Sequence, residues 1–122
     1  MTPKSGYGVA VIGYSSGGFA NELPVKASAA VRQSLSQVVV VADDDANKLV
    51  LYIDGTKAAE ASWTDTLAAI NDVNLWLGRS QYVNDPELNA VFHEFRIYEA
   101  ALTAAQVTST FHGGTDPAFL AY

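Results

Sequence analysis

Hydrophobic and polar residues alternate along most of this chain with the two-residue period of half-buried strands. Residues 7–14, Tyr-Gly-Val-Ala-Val-Ile-Gly-Tyr, are short, rich in β-branched side chains and punctuated by glycine, and Ser15-Ser16-Gly17-Gly18 follows as a turn, which together read as a hairpin. Residues 19–35 read as strand-like, with Pro24 marking extended chain before Val25, although the run from Ala27 to Gln33 could equally wind into a helix. Four consecutive valines, Val38 to Val41, suit a strand buried on both faces. After the turn Asp43-Asp44-Asp45-Ala46-Asn47, residues 48–53 set Leu49, Leu51 and Ile53 against Val50 and Tyr52. Asp54-Gly55 then predicts a type I′ hairpin turn, because both central residues need φ > 0 and this dipeptide tolerates it, and residues 57–63 return as a strand.

Residues 64–72 read as a crossing loop, and residues 73–79 alternate again, Val73, Leu75 and Leu77 opposite Asn74, Trp76 and Gly78. Residues 91–98 put Val91, His93, Phe95 and Ile97 on one face and Phe92, Glu94, Arg96 and Tyr98 on the other, as a closing strand would. Thr103 with Gln106 three residues on makes a capping box, and Leu102 and Val107 are spaced as its hydrophobic staple. A short helix over 104–111, stopped by Gly113-Gly114, is therefore expected. The tail 116–122 could add a last strand. These patterns predict an all-β fold, an antiparallel two-sheet β-sandwich of jelly-roll type with one short C-terminal helix.

Composition narrows the partners more than the fold. A chain of 122 residues without an interior linker is expected to be a single domain, and 49% hydrophobic residues suffice for a core. The absence of cysteine excludes disulfides and cysteine-based metal or nucleophile chemistry. Seven basic against 13 acidic residues leave a net charge of −6, and with so few and scattered cations nucleic acid is not an expected partner. No apolar run reaches the roughly 18 residues of a membrane span, so no membrane insertion is expected, and Met-Thr-Pro-Lys-Ser-Gly-Tyr lacks an apolar h-region, so it is not expected to begin a signal peptide.

Four segments in order carry a resemblance: Val38-Val39-Val40-Val41-Ala42-Asp43, Lys48-Leu49-Val50-Leu51-Tyr52-Ile53-Asp54-Gly55, Leu75-Trp76-Leu77-Gly78-Arg79, and His93-Glu94-Phe95-Arg96-Ile97-Tyr98 with Ala101-Leu102-Thr103. Together, over about residues 36–110, they resemble the laminin G-like, concanavalin A-like lectin/glucanase jelly-roll domains. The chain departs from that family in having Leu35-Ser36-Gln37 where Trp-His-His is common, and Ala90 and His93 where Gly and Asp are usual. The resemblance implies a non-catalytic binding module for carbohydrate or a protein partner, an extracellular setting, and no obligatory cofactor. It also implies further strands ahead of residues 7–14, so the domain is expected to be abbreviated or completed by another copy, a homo-oligomer joined through an open edge strand.

Candidate chemistry follows in two loops. Asp43, Asp44, Asp45 and Asn47 could supply oxygens to Ca²⁺, although Asp and Asn are also ordinary turn residues and EF-hand spacing is absent. Tyr82, Asn84, Asp85 and Glu87 form a second polar loop that could bind a sugar, an aromatic ring stacking on its apolar face and the polar groups bonding its hydroxyls, or could simply be a turn before Pro86. Trp63 is a further candidate platform, whereas Trp76, inside a strand, is expected in the core. His93 and His112 lack zinc-ligand spacing, and His93 is expected to be half-buried. No enzyme is expected: glycosidases need paired carboxylates, and Glu94 has Arg96 where a second would stand.

Overall fold

The computed structural model describes residues 3–4, 8–15, 22–70, 76–80 and 84–114. Five strands and one helix are present among them: β1 (Val11–Tyr14), β2 (Leu23–Lys26), β3 (Val38–Asp43), β4 (Lys48–Ile53), β5 (Thr56–Ser62) and α1 (Ala104–Gly113), with a 3₁₀ turn at Leu67–Ala69. β1 and β2 form a two-stranded antiparallel sheet, and β3-β4-β5 a three-stranded antiparallel meander. The hairpin expected after residue 14 is therefore real, its return strand being β2. The Pro24 ring, which offers no N–H, sits where a two-stranded sheet tolerates it, opposite Gly13.

The Asp54-Gly55 turn is of the predicted kind, with φ +51° and +73° and Ile53 facing Thr56 across it. It is also locked from outside. The Asp54 carboxylate accepts the Gln37 N–H at 2.9 Å and pairs with Arg32 at 2.5 Å. Gly55 has a second reason to be glycine, since a Cβ there would lie 3.0 Å from the Phe111 Cβ of α1. Thr108 donates its hydroxyl to the Gly55 carbonyl at 3.0 Å, and the Gln37 amide donates to Thr110 at 3.2 Å, so the helix is docked on the hairpin tip.

The core has two parts separated by β4. On one face Leu49 and Leu51 pack with Ala10, Ile12, Val25, Ala27 and Trp63, joining the two sheets as a sandwich. On the other face Val50 and Tyr52 pack with Val41 and Val107 beneath α1. This corrects the sequence expectation for the valine run. β3 leaves Val40 exposed, and the strand buried on both faces is β4, because the middle strand has the small sheet on one side and the helix on the other.

α1 begins as expected. Thr103 Oγ1 accepts the Gln106 N–H at 3.3 Å, Gln106 Oε1 accepts the Thr103 N–H at 2.8 Å, and Val107 is wholly buried with Leu102 against its cluster. The helix runs to Gly113, with Gly114 at φ +69° as its cap.

Residues 91–98 differ from expectation. Among the described residues they belong to no sheet, and Val91 (83%), Phe92 (51%), Phe95 (52%) and Ile97 (72%) are largely exposed. His93 is exposed rather than half-buried. Alternation says which side chains share a face, whereas a ladder also needs a strand alongside, and no described strand pairs with this segment. Of the strand expected at 73–79, residues 76–79 are not in a ladder and 73–75 lie outside the described residues, as does the tail from 115 onward.

Two substitutions separate the core from the cap. Leu51→Ala, at a fully buried position, is expected to lower unfolding free energy by about 2–5 kcal/mol. Thr103→Ala is expected to cost only about 1 kcal/mol through the lost cap. Urea midpoints at constant m-value check both.

Candidate functional site

The loop between β3 and β4 is built by its own carboxylates. Asp43 Oδ1 accepts the N–H of Ala46, three residues on, at 2.8 Å, and Asn47 takes φ +53° to close the turn. Asp44 reaches further, its two oxygens lying 3.3 and 3.1 Å from the Leu67 N–H at the start of the 3₁₀ turn. The Asn47 carbonyl accepts the Trp63 N–H at 2.8 Å. Among the described residues no group of three or more His, Cys, Asp or Glu is placed to hold a metal ion. The oxygens of Asp43 and Asp44 face backbone N–H groups that orient the loop.

Trp63 is not a platform. It is 1% exposed, with its ring meeting Tyr14 edge-on at 5.1 Å and 67°. It lines an apolar cleft of about 220 Å³ bounded also by Ile12, Leu49, Leu67 and Ile70, which the Asp44 contact helps to position. Its indole N–H is buried without a hydrogen-bond partner among the described residues. Residue 63 sits at the end of β5 under the small sheet, where the inter-sheet core claims the largest side chain available.

The other tryptophan exchanges roles with it. Trp76 is 42% exposed, and the Arg79 guanidinium lies over its ring at 4.4 Å. Gly78, at φ +76°, accepts the Leu88 N–H through its carbonyl at 2.7 Å. This bond ties the segment holding Trp76 and Arg79 to Leu88, which directly follows the stretch of Asn84, Asp85 and Glu87, all three exposed. Tyr82, the remaining predicted member, lies outside the described residues. Sequence reasoning missed Trp76 and Arg79 because alternation assigned Trp76 to a strand interior. The available signal was the Trp-x-x-Arg spacing beside a polar loop.

Elsewhere Glu94 and Arg96 pair with each other. The Arg96 guanidinium is held above its ordinary range, first by a hydrogen bond to Tyr98 and then by one to Glu94. His112 stacks near Phe111 in the last turn of α1, far along the chain from His93, and neither joins a ligand set among the described residues.

The described residues thus form two antiparallel sheets packed face to face, with an exposed aromatic and polar rim. The family model described as the concanavalin A-like lectin/glucanases superfamily, of laminin G type, matches residues 4–108, and the chain belongs to that superfamily. Among solved structures it is similar to an S-layer domain-containing protein from Clostridium thermocellum, with 19% identity and a TM-score of 0.51, over 80% of this chain and 48% of that one. The chain thus spans about half the length of that solved protein, and the likeness concerns the fold. The comparison with curated proteins returned no match. No helix among the described residues is long and apolar enough to cross a membrane.

The exchanged roles of the two tryptophans are directly measurable. Trp76→Phe should leave blue-shifted fluorescence that acrylamide barely quenches, and Trp63→Phe should leave red-shifted, readily quenched emission. Equal quenching of the two variants would contradict the assignment.

Proposed function

We propose that this domain is a non-catalytic binding module that recognises carbohydrate at the rim formed by Trp76, Arg79 and the loop bearing Asn84, Asp85 and Glu87. The observation that carries the reading is the half-exposed indole of Trp76 with the Arg79 guanidinium over its ring, on a segment hydrogen-bonded to Leu88, which follows the exposed Asn84, Asp85 and Glu87. A sugar ring presents a C–H face that packs on an indole, and its hydroxyls need donors and acceptors at the edge, which Arg79, Asn84 and Asp85 supply. The net charge of −6 disfavours polyanionic ligands, so a neutral glycan fits best. Membership of a superfamily that includes lectins supports this reading, and the fold shared with an S-layer domain-containing protein supports an extracellular setting. A catalytic role is not proposed, because Glu94, the carboxylate that a glycosidase reading would use, is paired with Arg96.

A specific observation favours a second reading, assembly with other protein: the exposed apolar segment 91–98.

Calorimetric titration of a panel of neutral glycans, with and without chelator, tests the rim. At least one glycan should release heat, and Trp76→Ala should weaken it about tenfold, the loss that removing about 1.4 kcal/mol of contact produces. Flat heats across the panel overturn the reading. Binding that survives only without chelator would return a calcium role to the loop of Asp43, Asp44, Asp45 and Asn47.

A further inference from the structure

The turn that seats α1 on the hairpin is also a chemically labile pair. Asp54-Gly55 is the single Asp-Gly pair in the chain, and no Asn-Gly pair is present. A glycine after aspartate offers an unhindered amide nitrogen, because no Cβ shields it or restricts the backbone around it. That nitrogen can attack the aspartate side chain. In the first step a bond forms between Gly55 N and Asp54 Cγ, the Cγ–OH bond breaks, and the amide proton leaves with the hydroxyl as water, closing a succinimide ring. In the second step water adds to one of the ring carbonyls. Opening at Cγ restores aspartate, and opening at the backbone carbonyl leaves isoaspartate, with the chain routed through Cβ and Cγ. The water lost is regained, so no co-reactant is consumed.

The fold commits these groups elsewhere. Asp54 Oδ1 accepts the Gln37 N–H at 2.9 Å and Oδ2 pairs with Arg32 at 2.5 Å, so both carboxylate oxygens are held by donors outside the turn. The Asp54 N–H in turn donates to the Gln37 carbonyl at 2.9 Å. With φ of +51° and +73° at its two central residues, the type I′ turn fixes the backbone on which the carboxyl would have to swing onto Gly55. Ring closure therefore needs the turn to open locally, and its rate is that of the open chain scaled by the open fraction. Of the two donors, Arg32 is the one that a substitution can remove without altering the backbone, and its side chain is 72% exposed against 14% for Asp54.

We propose that Asp54-Gly55 is a site of spontaneous isoaspartate formation that Arg32 and Gln37 guard, and that isomerisation there releases the second half of α1 from the hairpin. The product adds a methylene to the backbone of a turn without slack. Ile53 faces Thr56 directly across it, and a Cβ on Gly55 would already lie 3.0 Å from the Phe111 Cβ. The free carboxylate moves from Cγ to Cα, away from the Gln37 N–H that it orients. Both hydrogen bonds that dock the helix depend on this turn: Thr108 donates to the Gly55 carbonyl, and Thr110 accepts from the Gln37 side chain. Val107 packs instead on Val41, Val50 and Tyr52, so the start of the helix keeps its seat. The site is separate from the Trp76 rim and independent of glycan binding.

Ageing the full chain at neutral pH, folded and in urea, with isoaspartate at residue 54 measured by enzymatic methyl labelling and peptide mapping, tests the guard. Isoaspartate should accumulate more slowly in the folded chain than in urea, a comparison that needs no variant. Folded Arg32→Ala should form it roughly two- to fivefold faster than the parent chain, the rise in open fraction that losing one exposed ion pair produces. Arg32→Lys, which keeps the charge, should lie nearer the parent. Once separated by ion exchange, the isomerised chain should lose hydrogen-exchange protection over residues 108–112 while β4 keeps its own. Equal rates in the folded and urea-unfolded chain, Arg32→Ala ageing at the parent rate, or an isomerised chain with α1 protected as before would each overturn the proposal.

Discussion

Strand β4 is hydrogen-bonded on both edges and buried on both faces, and that double burial holds the described structure together. Leu49 and Leu51 join the two sheets through Trp63 and Val25, while Val50 and Tyr52 seat α1 through Val107. Only a middle strand can serve both layers, since its edges are already satisfied and its side chains alternate between them. The Asp54-Gly55 turn transmits this arrangement. It sets the β4–β5 register, anchors Gln37 and Arg32, and leaves room for Phe111 where a side chain would collide.

The same constraint explains where the tryptophans went. The space between the sheets needed a large side chain at the end of β5, so Trp63 filled it and became unavailable to ligand. Trp76 lies beyond the described sheets and remained half-exposed, with Arg79 over its face. The acidic turn was likewise shaped by backbone demand. Asp43 and Asp44 satisfy N–H groups of the turn and of the following 3₁₀ segment, which occupies oxygens a cation would otherwise use. Around Gly78, by contrast, Trp76 and Arg79 form an exposed cation–π pair.

The apolar strip at 91–98 stands apart from that core. Its side chains have the composition of a buried strand and the exposure of a surface one, a mismatch that large apolar patches on folded proteins resolve by association.

Local features were legible from the residues alone, because each depends on neighbours within a few positions. The type I′ turn follows from Asp54-Gly55, the capping box from Thr103 and Gln106, the Leu102–Val107 staple from their spacing, and the β3–β4 hairpin from alternation around an Asp-rich turn. The four-segment pattern also carried the superfamily. Only tertiary structure decided which strand is central, which tryptophan is covered, and whether residues 91–98 find a partner. Those outcomes depend on what lies across a face or along an edge. Period-two alternation encodes the face a side chain takes but not the identity of the neighbour that covers it.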